Sequence, residues 1–355
     1  MTKARTNASA TPAVGRNMVI NGAMNVAQRS ASVTGVGATA SHYPTLDRWM
    51  IEASTAGRLT MSQTADGPNG ISANCIKLDC TTADTSIASG EYFLLEQKIE
   101  GQNLQRIGKG VAGAKQVTIS FYVKASAAFD FVIEFLDEDN SRHCCKLFST
   151  TTDWTRVEFV VPADEDDGSS PFDDNNAASA RLFFWLHAGA TYTSGTLAAA
   201  WANTTAANRA AGIDSFFSST DNNFFVTGFQ MEVGPVATEF EQEDIGVTLA
   251  KCQRYYQLNI SNTGFTNSTT SCRIGISGTV EMRSAPSLSI VDGAGMCEDF
   301  GVANRDISGL GGLAKGSNSV GAGKLGGACD ATIASSSNGK SHILFAGAIA
   351  MIAEL

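Results

Sequence analysis

The residues of this sequence best suited to chemistry are its carboxylates, eight cysteines and four histidines. Among the histidines, only His143 lies beside cysteines, in the run His143-Cys144-Cys145. Adjacent residues of a strand point to opposite faces, and no Cys-x-x-Cys pair occurs. The spacing therefore does not indicate a zinc site.

Two glycine–lysine pairs raise the question of a phosphate-binding loop. Gly323-Lys324 runs into Leu325, and Gly339-Lys340-Ser341 has Ala334 where the motif needs a glycine. The motifs of serine hydrolases, zinc proteases and kinases are missing as well. A glycosidase needs only two facing carboxylates, which sequence spacing does not reveal. We expect a noncatalytic protein without a cofactor.

Acidic turns supply the hard oxygen ligands that calcium prefers. The candidate calcium ligands are Asp164, Asp166, Asp167, Asp173 and Asp174. Neither patch has the twelve-residue EF-hand form with its closing glutamate. A solvated loop is the simpler interpretation, so no bound metal is expected.

The elements that must position these residues follow a period of two. Apolar residues alternate in 117–124, 131–135, 155–161 and 181–187, each bounded by turn residues. In 224–233 the alternation places Phe225, Thr227, Phe229 and Met231 on one face. Many short strands with few helix-period stretches predict an all-β, two-sheet antiparallel sandwich. The Ala-rich segment 197–211 predicts one or two helical turns, or a loop that carries Trp201.

The flanking segments differ from this body. Residues 1–16 have no periodicity and predict an extended arm, disordered or laid against a partner. Residues 244–257 predict a short helix or linker, followed by a smaller Gly-rich β domain over 258–355. A single stripe at helical spacing could pack on its own chain or form an oligomer seam. It consists of Ile245, Leu249, Cys252 and Tyr256.

Charge and composition exclude several classes. The formal net charge is −10, with no long run of cations, which argues against nucleic-acid binding. No apolar run approaches the ~18 residues of a membrane span, so membrane insertion is not expected. The first residues lack the apolar stretch of a secretory signal, so we expect reduced thiols and synthesis in a cytosol.

Several stretches occur in an order that resembles tailed-bacteriophage virion proteins, especially tail-fibre proteins. They are Asn17 to Ser30, Tyr43 to Trp49, Leu95 to Gly101, Val117 to Ser126, Phe225 to Phe240 and Cys252 to Tyr256. In such proteins the first domain is similar to jelly rolls of the carbohydrate-binding-module type. The likeness therefore implies a jelly-roll sandwich over residues 17–243.

The resemblance also implies a role. We expect a virion structural protein, assembled in the host cytoplasm, that serves in a tail fibre or in host attachment. It would form a homotrimer, with the stripe as its seam, and the arm 1–16 would dock onto other virion proteins. The alternatives are a capsid decoration protein, or a glycan-binding or glycan-cleaving module.

A host-surface glycan would be a further partner. Sugars place their apolar faces on aromatic rings beside polar groups, so the faces opposite the presumed core supply the candidates. These are Tyr122, Lys124, Glu134, Trp185, His187 and, in a nearby loop, Trp201. The alternative is that Trp185 and its neighbour Phe183 face the second sheet or another subunit.

Overall fold

The computed structural model describes residues 15–165, 171–268, 271–299, 303–310, 326–333 and 342–355. The chain divides into two compact units, Met1–Asp244 and Ile245–Leu355. Most of the arm 1–16, as well as Asp166 and Asp167, lies outside the described residues. Within the described residues, no helix has the length and apolar character needed to cross a membrane.

The described part of the first unit is built almost entirely from strands. They are β1 Ser32–Val36, β2 Ser41–His42, β3 Met50–Ser54, β4 Arg58–Thr64, β5 Cys75–Thr82, β6 Tyr92–Glu100, β7 Val117–Ala125, β8 Asp130–Asp137, β9 Arg142–Ser149, β10 Thr155–Val161, β11 Ala178–Ala188, β12 Ala202–Asn203 and β13 Asn223–Val233. Short helical turns occur at Gly101–Asn103, Gln105–Ile107, Ala190–Thr193, Ala206–Asn208 and Phe216–Ser218.

These strands form two sheets that pack face to face. The first sheet has the order β1-β4-β5-β13-β7-β10, and the second has the order β12-β9-β8-β11-β6-β3-β2. The recorded neighbours in both sheets pair antiparallel. The architecture is the antiparallel jelly-roll sandwich that the sequence predicts.

The core lies where the inward faces of the two sheets meet. In β7, Val117, Ile119, Phe121 and Val123 are each at most 1% exposed, as their alternation predicts. The Phe121 ring contacts Phe184 of the second sheet edge to face at a centroid distance of 4.9 Å. Burying one such side chain stabilises the fold by roughly 1.5–3 kcal/mol, so the aromatic contacts between the sheets fix the sandwich.

The face prediction for β13 is wrong because the strand contains a bulge. Phe225 and Thr227 point away from the core, whereas Phe229 and Met231 are fully buried in it. The register against β7 shifts between Thr227 and Gln230. An extra residue moves every later side chain to the other face, so one regular alternation does not describe the whole strand.

The outer face of the second sheet is covered by the segment 189–213. Cys145 N donates to the Ala198 carbonyl oxygen (2.7 Å), and β12 pairs with β9. A second apolar cluster forms beneath this segment. It comprises Leu94, Val132, Cys145, Phe183, Trp185, Ala198 and Ala210. The Ala-rich stretch is therefore mostly a loop that closes over the sheet.

The second unit begins with the short helix Ile245–Gln253 and continues as strands. The described strands are β14 Tyr256–Ser268, β15 Ser271–Ser277, β16 Ser287–Asp299, β17 Ala303–Leu310, β18 Gly326–Ile333 and β19 His342–Ile352. They close on themselves in the order β14-β15-β18-β17-β16-β19. The Gly-rich segment 309–327 lies for the most part outside the described residues, which exclude 311–325.

Candidate functional site

The outer face of the first sheet carries a row of side chains that crosses four strands. Lys77 of β5 pairs with Phe225 of β13, which pairs with Lys124 of β7. Trp154 immediately precedes β10, whose first residue Thr155 pairs with Val123, so its position continues the row. In the next row, Tyr122 of β7 pairs with Arg156 of β10. We call these six residues the aromatic patch.

Cations and rings alternate within the aromatic patch. Lys124 Nζ lies 4.8 Å from the centroid of the Phe225 ring and 5.2 Å from the Trp154 ring. Arg156 lies 5.9 Å from the Tyr122 ring. The Trp154 and Phe225 rings meet edge to face at 6.3 Å. Such contacts are worth ~0.5–1 kcal/mol at exposed sites, which favours rings held in fixed orientations.

The patch is accessible and its charges are balanced. The side chains of Tyr122, Lys124, Trp154 and Phe225 are partly exposed rather than buried. Lys77 pairs with Asp79 (3.0 Å), Lys124 with Asp66 (2.7 Å) and Arg156 with Glu158 (3.3 Å). A surface with paired charges and exposed rings suits a neutral polar ligand better than a polyanion.

A loop on one side extends the patch into a cavity. The loop 66–73 joins β4 to β5, and Trp154 Nε1 donates to the Asp66 carbonyl oxygen (3.0 Å). The cavity has a volume of about 360 Å³ and is lined by residues 67–73 and Gln242. Gln242 Nε2 donates to the Ile71 carbonyl oxygen (2.7 Å), which closes one wall. The cavity therefore lies beside the patch, next to the loop residue that Trp154 contacts, and residues outside the patch line it.

The bulge of β13 shapes the floor of the patch. Gly228 has a φ of +60°, and an added Cβ would lie 2.7 Å from Ile71 and 2.9 Å from the Tyr122 ring. Only glycine meets both conditions, since other residues rarely adopt this backbone conformation. Gly228 thus lets the Tyr122 ring and the cavity loop approach the strand.

Of the six predicted sugar-binding residues, two lie in the aromatic patch and four do not. Tyr122 and Lys124 lie in the aromatic patch. Trp201 is partly buried against the core, where its ring lies 5.6 Å from that of Phe135 and its Nε1 donates to the Pro162 carbonyl oxygen. The structure does not bring Trp201 to the patch.

The other three predicted residues are buried, which corrects the expectation that they face solvent. Glu134 and His187 are 0% exposed and Trp185 is 1% exposed. The prediction of the outward face was sound for Trp185, but the segment 189–213 covers that face. Sequence periodicity reports which residues share a face and does not report what lies above it.

Glu134 is held by a set of donors that leaves no room for a sugar hydroxyl. Arg209 donates to its carboxylate at 3.0–3.1 Å, Trp185 Nε1 at 2.7 Å, and His143 Nδ1 lies at 2.8 Å. Burial raises the pKa of Glu134, but the Arg209 charge and these hydrogen bonds outweigh it and hold the pKa below its usual range. The Glu134 carboxylate is therefore a buried anion with its own cation.

The described calcium candidates offer no preformed site. Asp164 lies between two cations, 3.2 Å from Lys109 Nζ and 3.4 Å from Arg142 Nη2. Asp173 and Asp174 are exposed, and Asn175 Nδ2 donates to the Asp173 carboxylate (3.1 Å). Ion pairs account for the Asp164 side chain and a turn hydrogen bond for that of Asp173.

The predicted oligomer stripe is split by the structure. The helix ends at Gln253, and Tyr256 begins β14, so the four residues do not lie on one helix. Cys252 and Tyr256 are buried within the second unit, whereas Ile245 is 53% exposed and Leu249 is partly exposed. Residues that are already buried cannot form a seam, so Ile245 and Leu249 alone remain available.

Sequence reasoning missed Trp154 and Phe225 as members of the site. Trp154 is not among the six residues predicted from the sequence, and the alternation places Phe225 on the face that Phe229 occupies. The dipeptide Thr227-Gly228 inside an otherwise apolar strand was the available signal, because glycine within a strand often marks a bulge. The pairing that aligns four strands was not visible in the sequence.

No protein-family model and no curated protein matches the sequence. Among solved structures, the enzymatically active domain of bacteriophage CBA120 tailspike protein 4 is 11% identical over 61% of this chain, with a TM-score of 0.34. The match spans 21% of that tailspike chain.

Carbohydrate-binding modules also match. TmCBM61 in complex with β-1,4-galactotriose is 10% identical, with 62% of this chain and 99% of that chain covered and a TM-score of 0.28. A family 11 module from Clostridium thermocellum, in complex with a mixed-linked tetrasaccharide, is 12% identical, with 60% and 99% covered and a TM-score of 0.28. The sandwich itself stands on the strand pairing of this chain.

Proposed function

We propose that this chain is a noncatalytic structural protein of a tailed-phage virion, of the tail-fibre type, that contacts a host-surface glycan. The aromatic patch carries the glycan part of the proposal. Its rings supply apolar surface for the C–H faces of a sugar, and its ion pairs supply donors and acceptors for hydroxyl groups.

The patch also favours binding over catalysis. The carboxylates next to the patch, Asp66, Asp79 and Glu158, are each paired with one of its cations, so none of them is placed as a general acid beside a second free carboxylate. We therefore expect no release of reducing sugar when the protein is incubated with host polysaccharide.

The virion role rests on the order of tail-fibre-like stretches between residues 17 and 256. It includes the arm 1–16 as a docking segment for other virion proteins and a homotrimeric assembly. The mass in solution tests the trimer. Labelling of intact particles separates a fibre from a capsid decoration protein, because the label would lie on the tail or on the shell.

The glycan part is tested with Trp154→Ala and Phe225→Ala on an array of host-surface glycans. Losing one stacked ring costs about 1.4 kcal/mol or more, so we expect at least a tenfold weaker affinity for each variant. Val160→Ala is the matched control, because Val160 is 41% exposed on β10 and lies outside the patch. Unchanged binding by both patch variants would contradict the assignment of the site.

A further inference from the structure

Three side chains that could bind a metal converge where strands of both sheets end. Asp84 and Glu91 lie in the connection between β5 and β6, and His187 lies near the end of β11. One ligand atom from each lies within 4.8 Å of the others. This cluster lies outside the aromatic patch and has no role in the proposed glycan contact.

The backbone holds the three positions firmly. Asp84 N donates to the Phe217 carbonyl oxygen (2.8 Å), and Gly189 N donates to the Glu91 carbonyl oxygen (2.8 Å). Asp84 is 5% exposed and His187 is 0% exposed, whereas Glu91 is partly exposed. Two ligands are thus fixed in the interior, and the third faces the route from solvent.

The His187 ring has the orientation of a ligand. Its Nδ1 lies 2.8 Å from Ser215 Oγ, and its Nε2 points towards Asp84, 3.9 Å from Oδ2. When Nδ1–H donates to Ser215, the Nε2 lone pair faces the carboxylates. Metal-binding imidazoles are typically held by such a hydrogen bond from the other ring nitrogen.

The neighbouring Thr55 hydroxyl does not donate its hydrogen to the Nε2 lone pair of His187. Thr55 Oγ1 lies 3.5 Å from Nε2, but it donates its proton to Asp84 Oδ2 (2.7 Å). The Ala56 N–H also donates to Asp84 Oδ2 (3.0 Å), so both local hydrogen bonds are directed at the carboxylate rather than at the imidazole.

A second histidine–carboxylate cluster differs from this one because a cationic side chain binds its carboxylate. Glu134, His143 and Cys145 also lie close together, but Arg209 binds Glu134 and supplies the positive charge. Among the described residues, neither Asp84 nor Glu91 forms a salt bridge with a lysine or arginine. The ligand atoms of Asp84, Glu91 and His187 therefore converge with no cationic side chain from the described residues paired to either carboxylate, which is an arrangement that a divalent cation can occupy.

We propose that Asp84, Glu91 and His187 bind a divalent transition-metal ion of the zinc type. One imidazole nitrogen and two carboxylate oxygens are a donor set that zinc accepts. Two atoms that each lie about 2.1 Å from one ion are at most about 4.2 Å apart. The 3.9 Å between Nε2 and Oδ2 meets this limit. Glu91 would supply the third ligand atom from a carboxylate whose Oε2 accepts a hydrogen bond from Ala88 N (2.6 Å).

The ion would join the two sheets at one end of the sandwich. Asp84 follows β5 of the first sheet, and His187 belongs to β11 of the second. A ligand that binds the folded state alone raises its stability by about 2.7 kcal/mol at one hundred times its dissociation constant. We therefore expect the melting temperature to rise when zinc is added.

The experiment uses the full chain, stripped of metal with a chelator and then titrated with zinc chloride. Calorimetry and elemental analysis should give one zinc ion per chain. Glu91→Gln should weaken the affinity by more than about tenfold, since even a lost outer partner costs that much. Glu165→Gln, at an exposed carboxylate outside both the cluster and the aromatic patch, is the matched control and should bind zinc as the natural chain does.

Cobalt substitution identifies the site on the unchanged chain. A cobalt ion held by Asp84, Glu91 and His187 has no sulfur ligand, so its spectrum should lack a thiolate charge-transfer band. Such a band would place the ion at a cysteine instead and would overturn the proposal. Failure to bind zinc, or equal binding by Glu91→Gln, would overturn it as well.

Discussion

The outer faces of the two sheets start from similar residues and end in opposite environments. Each face carries a tryptophan beside an aromatic neighbour, Trp154 with Phe225 and Trp185 with Phe183. A cation lies over each tryptophan, Lys124 from the same sheet in the first case and Arg209 from the segment 189–213 in the second. The segment 189–213 crosses the second face and buries its residues, whereas the first face stays open. Whether an aromatic row binds a ligand or serves as core thus depends on which part of the chain lies above it.

The two tryptophans provide the largest test of this comparison. Trp185→Ala should lower the free energy of unfolding by about 3–5 kcal/mol, because it empties a buried site under the loop. Trp154→Ala should cost only about 1 kcal/mol, since it removes an exposed cation–π contact and one hydrogen bond. Urea denaturation measures both.

Glycan binding completes that test. The folded fraction of Trp185→Ala should bind glycan as the natural chain does, whereas Trp154→Ala should not. If the effects of the two variants on stability and binding were reversed, the covered face would be the functional one.

The covered outer face of the second sheet can be tested through Glu96, whose protonation makes the stability of the fold depend on pH. The residue is 0% exposed on β6, and its nearest cations are Arg181 at 3.9 Å and Lys98 at 4.0 Å. Burial raises the pKa of Glu96 from 4.5 to about 7. Because the folded state holds this proton more tightly, the group stabilises the fold below about pH 4.5 and loses that contribution as the pH rises to about 7.

Glu96→Gln removes this contribution to the pH dependence. Each pKa unit is worth about 1.4 kcal/mol, so the variant should gain on the order of 3 kcal/mol relative to the natural chain between pH 4.5 and pH 8. Denaturation curves of both chains at the two pH values give the difference. Parallel stability profiles for the two chains would show that Glu96 is not held as a neutral acid.

The open outer face of the first sheet can be tested at Gly228, where the expected change in the free energy of unfolding is smaller. In Gly228→Ala the new Cβ would lie on a backbone with a positive φ and would be crowded by Ile71 and Tyr122. The variant should therefore lower the free energy of unfolding by about 1–3 kcal/mol. Gly113 has a φ of +85° with nothing within 4 Å of an added Cβ, so Gly113→Ala is a control for the backbone cost alone. Equal losses in both variants would mean that the bulge does not shape the patch.

Local pattern predicted much of the fold and less of the site. The alternation in β7 correctly placed Phe121 in the core and Tyr122 outside it, because side-chain direction follows from strand geometry alone. The same rule failed in β13, where one extra residue at Gly228 reversed the remaining strand. Tyr122 and Lys124 were found from the sequence, and Trp154 and Phe225 were not, since their alignment depends on strand pairing.

The sequence by itself determined the all-β character, the short helix near residue 245 and the inward faces of the regular strands, because these depend on neighbours a few residues apart. Only the tertiary structure decided that Trp185 is buried and Trp154 partly exposed, and that Asp84, Glu91 and His187 meet. Those outcomes depend on residues separated by tens of positions in the chain. Their contacts are set by sheet packing and by the loop that crosses one face, which local spacing does not encode.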